Sequence, residues 1–301
     1  MEQQKVERMK ATDFPKEVLT LYDRYVHGMI DRRAFLDGAS KFALGGLTAA
    51  GMLTALSPNY AHAQQVAPDD PSIRTEYVTV QSPDGHGIIR SYLARPARVT
   101  AKLPGVLVVH ENRGLNPYIE DVARRLAAAN FVALAPDGLT SLGGYPGTDE
   151  VGVEMQRTLD RDMLLQDFIS GVRFLREHSE CNGKVGAVGF CFGGGIVNQL
   201  AVKLPYLVAG VPYYGAQPTA DDTRRIQATL MINYASMDER INAGWPAYEA
   251  ALNANGKDFA MHMYDNTMHG FHNDTTPRYD EAAANLSWNR TLAFFNENLR
   301  A

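Results

Sequence analysis

From residue 75 onward the hydrophobic positions keep changing period. Residues 75–80 and 87–94 read as two strands joined across Pro83-Asp84-Gly85, a hairpin signal. Residues 103–110 carry the continuous apolar run Val106-Leu107-Val108-Val109, which predicts a strand buried on both faces. Asn116-Pro117 then offers a helix cap and a first-turn proline, and Ile119, Val122, Ala123 and Leu126 follow at helical spacing. The alternation continues with strands at 131–135, 184–190, 207–214, 229–234 and 259–264. Between and after them, helices are predicted at 154–178, 193–203, 246–254 and 279–298. The first of these presents Leu164, Leu165, Phe168, Val172 and Leu175 on one side. Such alternation predicts one α/β domain over residues 64–301, with a mostly parallel sheet covered by helices on both faces. In that architecture chemistry gathers in the loops after the strands.

Residues 1–63 follow a different rule. Phe14, Val18, Tyr22 and Tyr25 mark one face of a helix. Asp31-Arg32-Arg33-Ala34-Phe35-Leu36 precedes a weakly apolar, Gly/Ala-rich stretch over 42–56, and Ala61-His62-Ala63 has the spacing a signal peptidase reads. Two readings stand. One is a twin-arginine export signal, which places the mature protein, from Gln64, in the periplasm. The other is a retained helical extension packed on the domain or on a partner subunit, in a cytoplasmic protein. Asp31 and Asp37, where an export signal commonly has Ser or Thr and Lys, keep the second reading open. The apolar stretch is too short to span a membrane.

The rest of the composition mainly excludes. The chain has 301 residues, 45% apolar and 21% charged, so wholesale disorder is out. A net charge of -5 gives no broad pull toward nucleic acid or anionic lipid. Two cysteines exclude a disulfide framework and a multi-cysteine zinc cluster. Cys181 and Cys191 fall at opposite ends of one predicted strand, too far apart to bond. Cys181 is expected in a loop or at the surface.

Cys191 is different. Gly189-Phe190-Cys191-Phe192-Gly193 lies between a predicted strand and a predicted helix, the pattern of a nucleophile elbow with Cys in place of Ser. The flanking glycines suit a turn too tight for side chains, and the helix N-terminus that follows favours a thiolate and a developing oxyanion. The alternative is a small buried structural cysteine. A nucleophile needs a base, and the base an orienting acid, in the chain order nucleophile, acid, base. Asp238 follows the strand at 229–234 and is the first choice for the acid, with Glu239 second. His269 follows the strand at 259–264 and is the candidate base; His272 competes, while His262 lies inside that strand. The loop His110-Glu111-Asn112-Arg113-Gly114 ends the first buried strand. The main-chain N–H groups of Asn112 and Phe192 are candidates for an oxyanion hole.

Gly-Phe-Cys-Phe-Gly-Gly, Asp238, His269-Gly270-Phe271, the segment from His110 to Asn116 and Ala135-Pro136-Asp137-Gly138-Leu139 together resemble the dienelactone hydrolase family of α/β-hydrolases. The resemblance implies that Cys191 is nucleophile, His269 base and Asp238 orienter. It implies ester or lactone hydrolysis through a thioester, on a small-molecule substrate, with no metal or organic cofactor. Glu111 matches a carboxylate that in the family contacts the resting thiol and releases it when substrate arrives. The chain departs from the family at two arginines that bind a substrate carboxylate, where it has Ser141 and Asn273. Neutral esters are therefore expected to outperform a carboxylated dienelactone. Arg113, Arg240 and Arg278 are the candidate replacements, and Tyr118, Tyr145, Trp245 and His272 are candidates for the substrate pocket. A non-catalytic binding member of the fold and a thiol-dependent acyltransferase are the rival functions.

Overall fold

A computed structural model of the chain describes residues 9–43, 47–62 and 64–300. Its centre is an eight-stranded sheet in the order β1-β2-β4-β3-β5-β6-β7-β8. The strands are β1 (Ile73–Ser82), β2 (Gly87–Pro96), β3 (Leu103–Val109), β4 (Val132–Pro136), β5 (Cys181–Phe190), β6 (Ala209–Tyr213), β7 (Thr229–Ala235) and β8 (Phe259–Tyr264). β2 runs antiparallel to β1 and β4, and the remaining neighbours are parallel. The continuous apolar runs of β3 and β4 are buried on both faces, as the sequence pattern requires.

Among the described residues three α-helices precede the sheet: α1 (Lys16–Val26), α2 (Arg32–Ala39) and α3 (Ala49–Leu56). The others are α4 (Pro117–Ala128), α5 (Asp149–Thr158), α6 (Arg161–Glu177), α7 (Phe192–Lys203), α8 (Ala220–Thr223), α9 (Glu239–Asn242), α10 (Trp245–Ala254) and α11 (Glu281–Arg300). α6 and α7 contribute to one hydrophobic cluster and α4 and α11 to another, on the two sides of the sheet. The helix expected over 154–178 is two helices. Leu159 is extended, and Asp160 accepts from Asp162 N at 2.8 Å and Met163 N at 3.0 Å, capping α6. Cys181 is also corrected: it is 2% exposed at the head of β5, in the core rather than at the surface.

The N-terminal helices form a cluster of their own. Phe14, Val18, Tyr22, Phe35, Leu53 and Leu56 are buried together, with Met268 of the domain packed against them. Asp31 caps α2 by accepting from Ala34 N at 2.7 Å, which accounts for an acid directly before the paired arginines. The segment is tied down by Ala11 N on Pro277 O at 2.9 Å and Asn59 N on Thr275 O at 2.8 Å. Residues 44–46 of the apolar stretch and Ala63 of the Ala-x-Ala sequence lie outside the described residues. Among the described residues no helix is long and apolar enough to cross a membrane.

Candidate active site

The turn between β5 and α7 is built by steric exclusion. A methyl on Gly189 would stand 2.3 Å from Gly193 O, and one on Gly193 would stand 2.3 Å from Val109 O at the end of β3. The helix can therefore approach the strand ends only because both side chains are absent. Cys191 at the apex has φ 57° and ψ -114°, a left-handed conformation that non-glycine residues avoid and that costs about 1–3 kcal/mol. The surrounding bonds hold it there, with Cys191 N on Tyr213 O at 3.1 Å and Gly195 N on Cys191 O at 3.2 Å.

Asp238 follows β7, caps α9 and is 5% exposed. Its Oδ2 lies 2.5 Å from His269 Nδ1, while Glu239 points to solvent. His269 Nε2 faces the thiol. Cys191 Sγ, His269 Nε2 and a third atom, His27 Nε2, all lie within 4.8 Å of one another. His27, just past α1, was not anticipated from the sequence. Its Nε2 stands 3.5 Å from Cys191 Sγ, 3.2 Å from His269 Nε2 and 3.0 Å from Arg240 Nη2. The three ligand-type atoms could in principle surround a metal ion, but the Arg240 guanidinium opposes a cation there.

The charges reinforce one another. Burial pushes the Cys191 thiol up, but His269 and His27 outweigh it and hold the thiol well below its ordinary value. Burial pulls His269 down, but Cys191 and Asp238 raise it to about 9. Burial likewise opposes the charged form of His27, yet the thiolate and Asp23 hold it above its ordinary value. Glu111 is buried, and burial raises its carboxyl with the Cys191 charge adding to the effect, against Arg113. Its Oε2 accepts from Asn273 Nδ2 at 3.0 Å, so Asn273 serves Glu111 rather than the cavity.

A cavity of about 480 Å³ opens at this thiol. Its wall includes Asn112, Phe192, Tyr214, Arg240 and His269. Arg157 and Arg161 also line it, and among the described residues no carboxylate does. Ser141 and Asn273 do not line it, so its positive charge comes from α5, α6 and α9 rather than from the family's two arginine positions. Of the expected pocket and clamp residues only Arg240 lines this cavity; Arg113, Tyr118, Tyr145, Trp245, His272 and Arg278 are elsewhere. Arg113 Nη1 donates to Asp149 Oδ2 at 2.6 Å and Tyr145 OH to Asp149 Oδ1 at 3.0 Å, and both face a separate cavity against the N-terminal helices. His272 is buried, paired with Tyr118 OH at 2.7 Å and stacked on Phe190. Trp245 packs on Tyr234, Tyr248 and Phe259. Arg278 is drawn toward Asp23 of α1, at 3.6 Å.

Residues 89–299 match the dienelactone hydrolase family, and residues 6–43 match a second family described as YqhI-like. Over 114 residues, 38% of this chain, the chain is 59% identical to "Putative hydrolase fragment YghX" of Escherichia coli (strain K12), covering 97% of that protein. It is 25% identical to carboxymethylenebutenolidase of Pseudomonas putida over 233 residues, covering 73% of this chain and 95% of that one. The crystal structure of a dienelactone hydrolase-like promiscuous phosphotriesterase, P91, from metagenomic libraries superposes with a TM-score of 0.65 at 25% identity, covering 75% of this chain and 99% of that one. With the family match spanning most of the chain, and an α/β sheet presenting a strand-to-helix turn at Cys191, the chain is a hydrolase that belongs to the dienelactone hydrolase family.

Proposed function

We propose that the chain hydrolyses an ester or lactone through a thioester on Cys191, with His269 moving the proton and Asp238 orienting it. The observation that carries this reading is the continuous line Asp238–His269–Cys191, with a 2.5 Å bond at its acid end and a depressed thiol at the other. The thiolate attacks the carbonyl carbon, and the C–S bond forms as the C–O bond breaks. The imidazolium gives its proton to the leaving oxygen. Water then loses a proton to the imidazole and attacks the thioester, releasing the thiolate and the acid. The main-chain N–H groups of Phe192, at the head of α7, and of Asn112 hold the oxyanion. Glu111, an anion near the thiol, tempers the thiolate against the two imidazoles.

The three arginines and the absence of a carboxylate in the described wall favour an ester or lactone that carries an anionic group. This reverses the preference for neutral substrates expected from Ser141 and Asn273 alone. The test is an ester and lactone panel with wild type, Cys191→Ala and His269→Ala, and mass spectrometry for an acyl adduct on Cys191. Each substitution is expected to lower kcat/KM by at least about 10³. Activity surviving Cys191→Ala within tenfold overturns the nucleophile. An adduct that decays only to an added acceptor, not to water, makes the protein a transferase. A tenfold preference for the methyl ester over the free acid overturns the anionic substrate.

A further inference from the structure

Two His–Asp pairs converge on one thiol. The first is His269 with Asp238. The second is His27, whose Nδ1 lies 2.7 Å from Asp23 O and 3.3 Å from Asp23 Oδ1, both in α1. The Asp23 carbonyl only accepts, so Nδ1 carries a proton; Nε2 is the atom that can gain or lose one, and when unprotonated it accepts from Arg240 Nη2 at 3.0 Å, a contact that a proton there must displace. That Nε2 stands 3.2 Å from His269 Nε2. Two nitrogens facing each other at hydrogen-bond distance are placed to share one proton, because each imidazolium opposes the other even though the thiolate favours both.

The placement of His27 is over-determined. Asn112 Nδ2 donates to Val26 O at 2.8 Å, joining the residue before His27 to the loop that bears an oxyanion donor. Asp23 faces the buried Arg278. Gly28, at φ 69°, turns the chain immediately after His27, and the Arg157 guanidinium occupies the space a side chain there would need. The segment is nevertheless a wall and not a plug, because His27 lines the open cavity alongside Cys191.

We propose that His27 is a second catalytic imidazole, sharing with His269 the proton that Cys191 gives up, so that the N-terminal segment is a working part of the active site. The proposal rests on Cys191 as the nucleophile. In acylation the shared proton passes to the leaving oxygen as the C–S bond forms and the C–O bond breaks. In deacylation the same pair takes one proton from water as the thioester is cleaved. The charged groups facing His27 are Asp23 from α1, Cys191 and His269 from the loops after strands, and Arg240 from α9, with Glu111 and Arg278 behind them. Cleavage after residue 63 would remove this imidazole, so the active form retains the segment.

The experiment uses the full chain with His27→Gln beside Cys191→Ala. It reads kcat/KM and the pH dependence of Cys191 alkylation by iodoacetamide. His27→Gln is expected to lower kcat/KM by about 10–10²-fold and to move the midpoint of alkylation upward by about one pH unit. A loss of kcat/KM with an unmoved alkylation midpoint would reduce His27 to a wall residue and overturn the proposal. So would activity within twofold of wild type while Cys191→Ala is inactive, and that result leaves the nucleophile intact. Activity surviving in Cys191→Ala would instead bring down the nucleophile and this proposal together. Intact mass of active protein from its native host should include residue 27; an active chain beginning at Gln64 overturns retention.

Discussion

At the scale of single residues, the site is an electrostatic solution to a problem created by burial. Partial burial of Cys191 disfavours its thiolate, and two imidazoles reverse that effect. Alkylation of Cys191 should therefore be fast already at pH 7 and change less than threefold up to pH 9. An ordinary thiol with a pKa of about 8.5 gains about twentyfold over that range. The alkaline side is set by His269, whose proton is needed by the leaving group and is lost as pH rises through about 9. Activity should fall above that value, and a profile of kcat/KM from pH 6 to 10 checks it. A limb centred near pH 7 would mean that the imidazole is not paired with a thiolate. The same reasoning explains why Asp238 and Glu239 were hard to separate by position. Both follow β7, but only Asp238 is buried against the ring, where burial raises its carboxyl and the bond to His269, with Arg240, more than offsets it.

At the scale of elements, backbone contact controls the elbow. Gly193 and Gly195 lie in the first turn of α7 only two residues apart, yet a methyl on Gly193 meets Val109 O at 2.3 Å whereas one on Gly195 has its nearest neighbour at 3.5 Å. Gly193→Ala should cost about 1–3 kcal/mol or more and displace Cys191. Gly195→Ala should change stability by less than about 0.5 kcal/mol. Urea unfolding of the two variants measures both; equal losses would mean that the elbow is not limited by this contact. The elbow was legible in the sequence because its sterics are local and leave glycines at fixed offsets. The break between α5 and α6 was not, because Leu164, Leu165 and Phe168 keep helical spacing and the interruption depends on one capping side chain, Asp160.

At the scale of the whole molecule, the N-terminal segment has its own small core, joined to the domain through Met268, hydrogen bonds and the ion pairs of Asp23 with Arg278 and Arg32 with Glu150. Phe35 lies at the middle of that core and is fully buried. Phe35→Ala should cost about 3–5 kcal/mol locally and loosen the segment without unfolding the sheet. Limited proteolysis should then cut within residues 9–62 much faster than in wild type, while the melting temperature of the remaining domain changes little. Equal cleavage rates in both proteins would show that the cluster does not hold the segment down. The paired arginines acquire a structural context at this scale: Arg32 opens α2 behind the Asp31 cap and approaches Glu150 of α5 at 3.9 Å. Export through these arginines remains a separate proposal, tested by replacing both with Lys and following the protein in a host with the twin-arginine pathway.

The sequence by itself determined the features governed by neighbours along the chain. Period-two and helical spacings specify the alternating strands and helices, and the crowding of a tight turn selects glycines around Cys191. The need for an acid and a base after consecutive strands points to Asp238 and His269. Only the tertiary structure decided which groups meet across long separations. Asp149 draws Arg113 and Tyr145 away from the thiol, Asn273 turns to Glu111, and arginines of α5, α6 and α9 supply the positive wall. His27, 164 residues from Cys191, comes within 3.5 Å of its sulfur. No local pattern marks such an approach, because it is set by how an entire segment packs, and contact energies depend on distance in space rather than on separation in the chain.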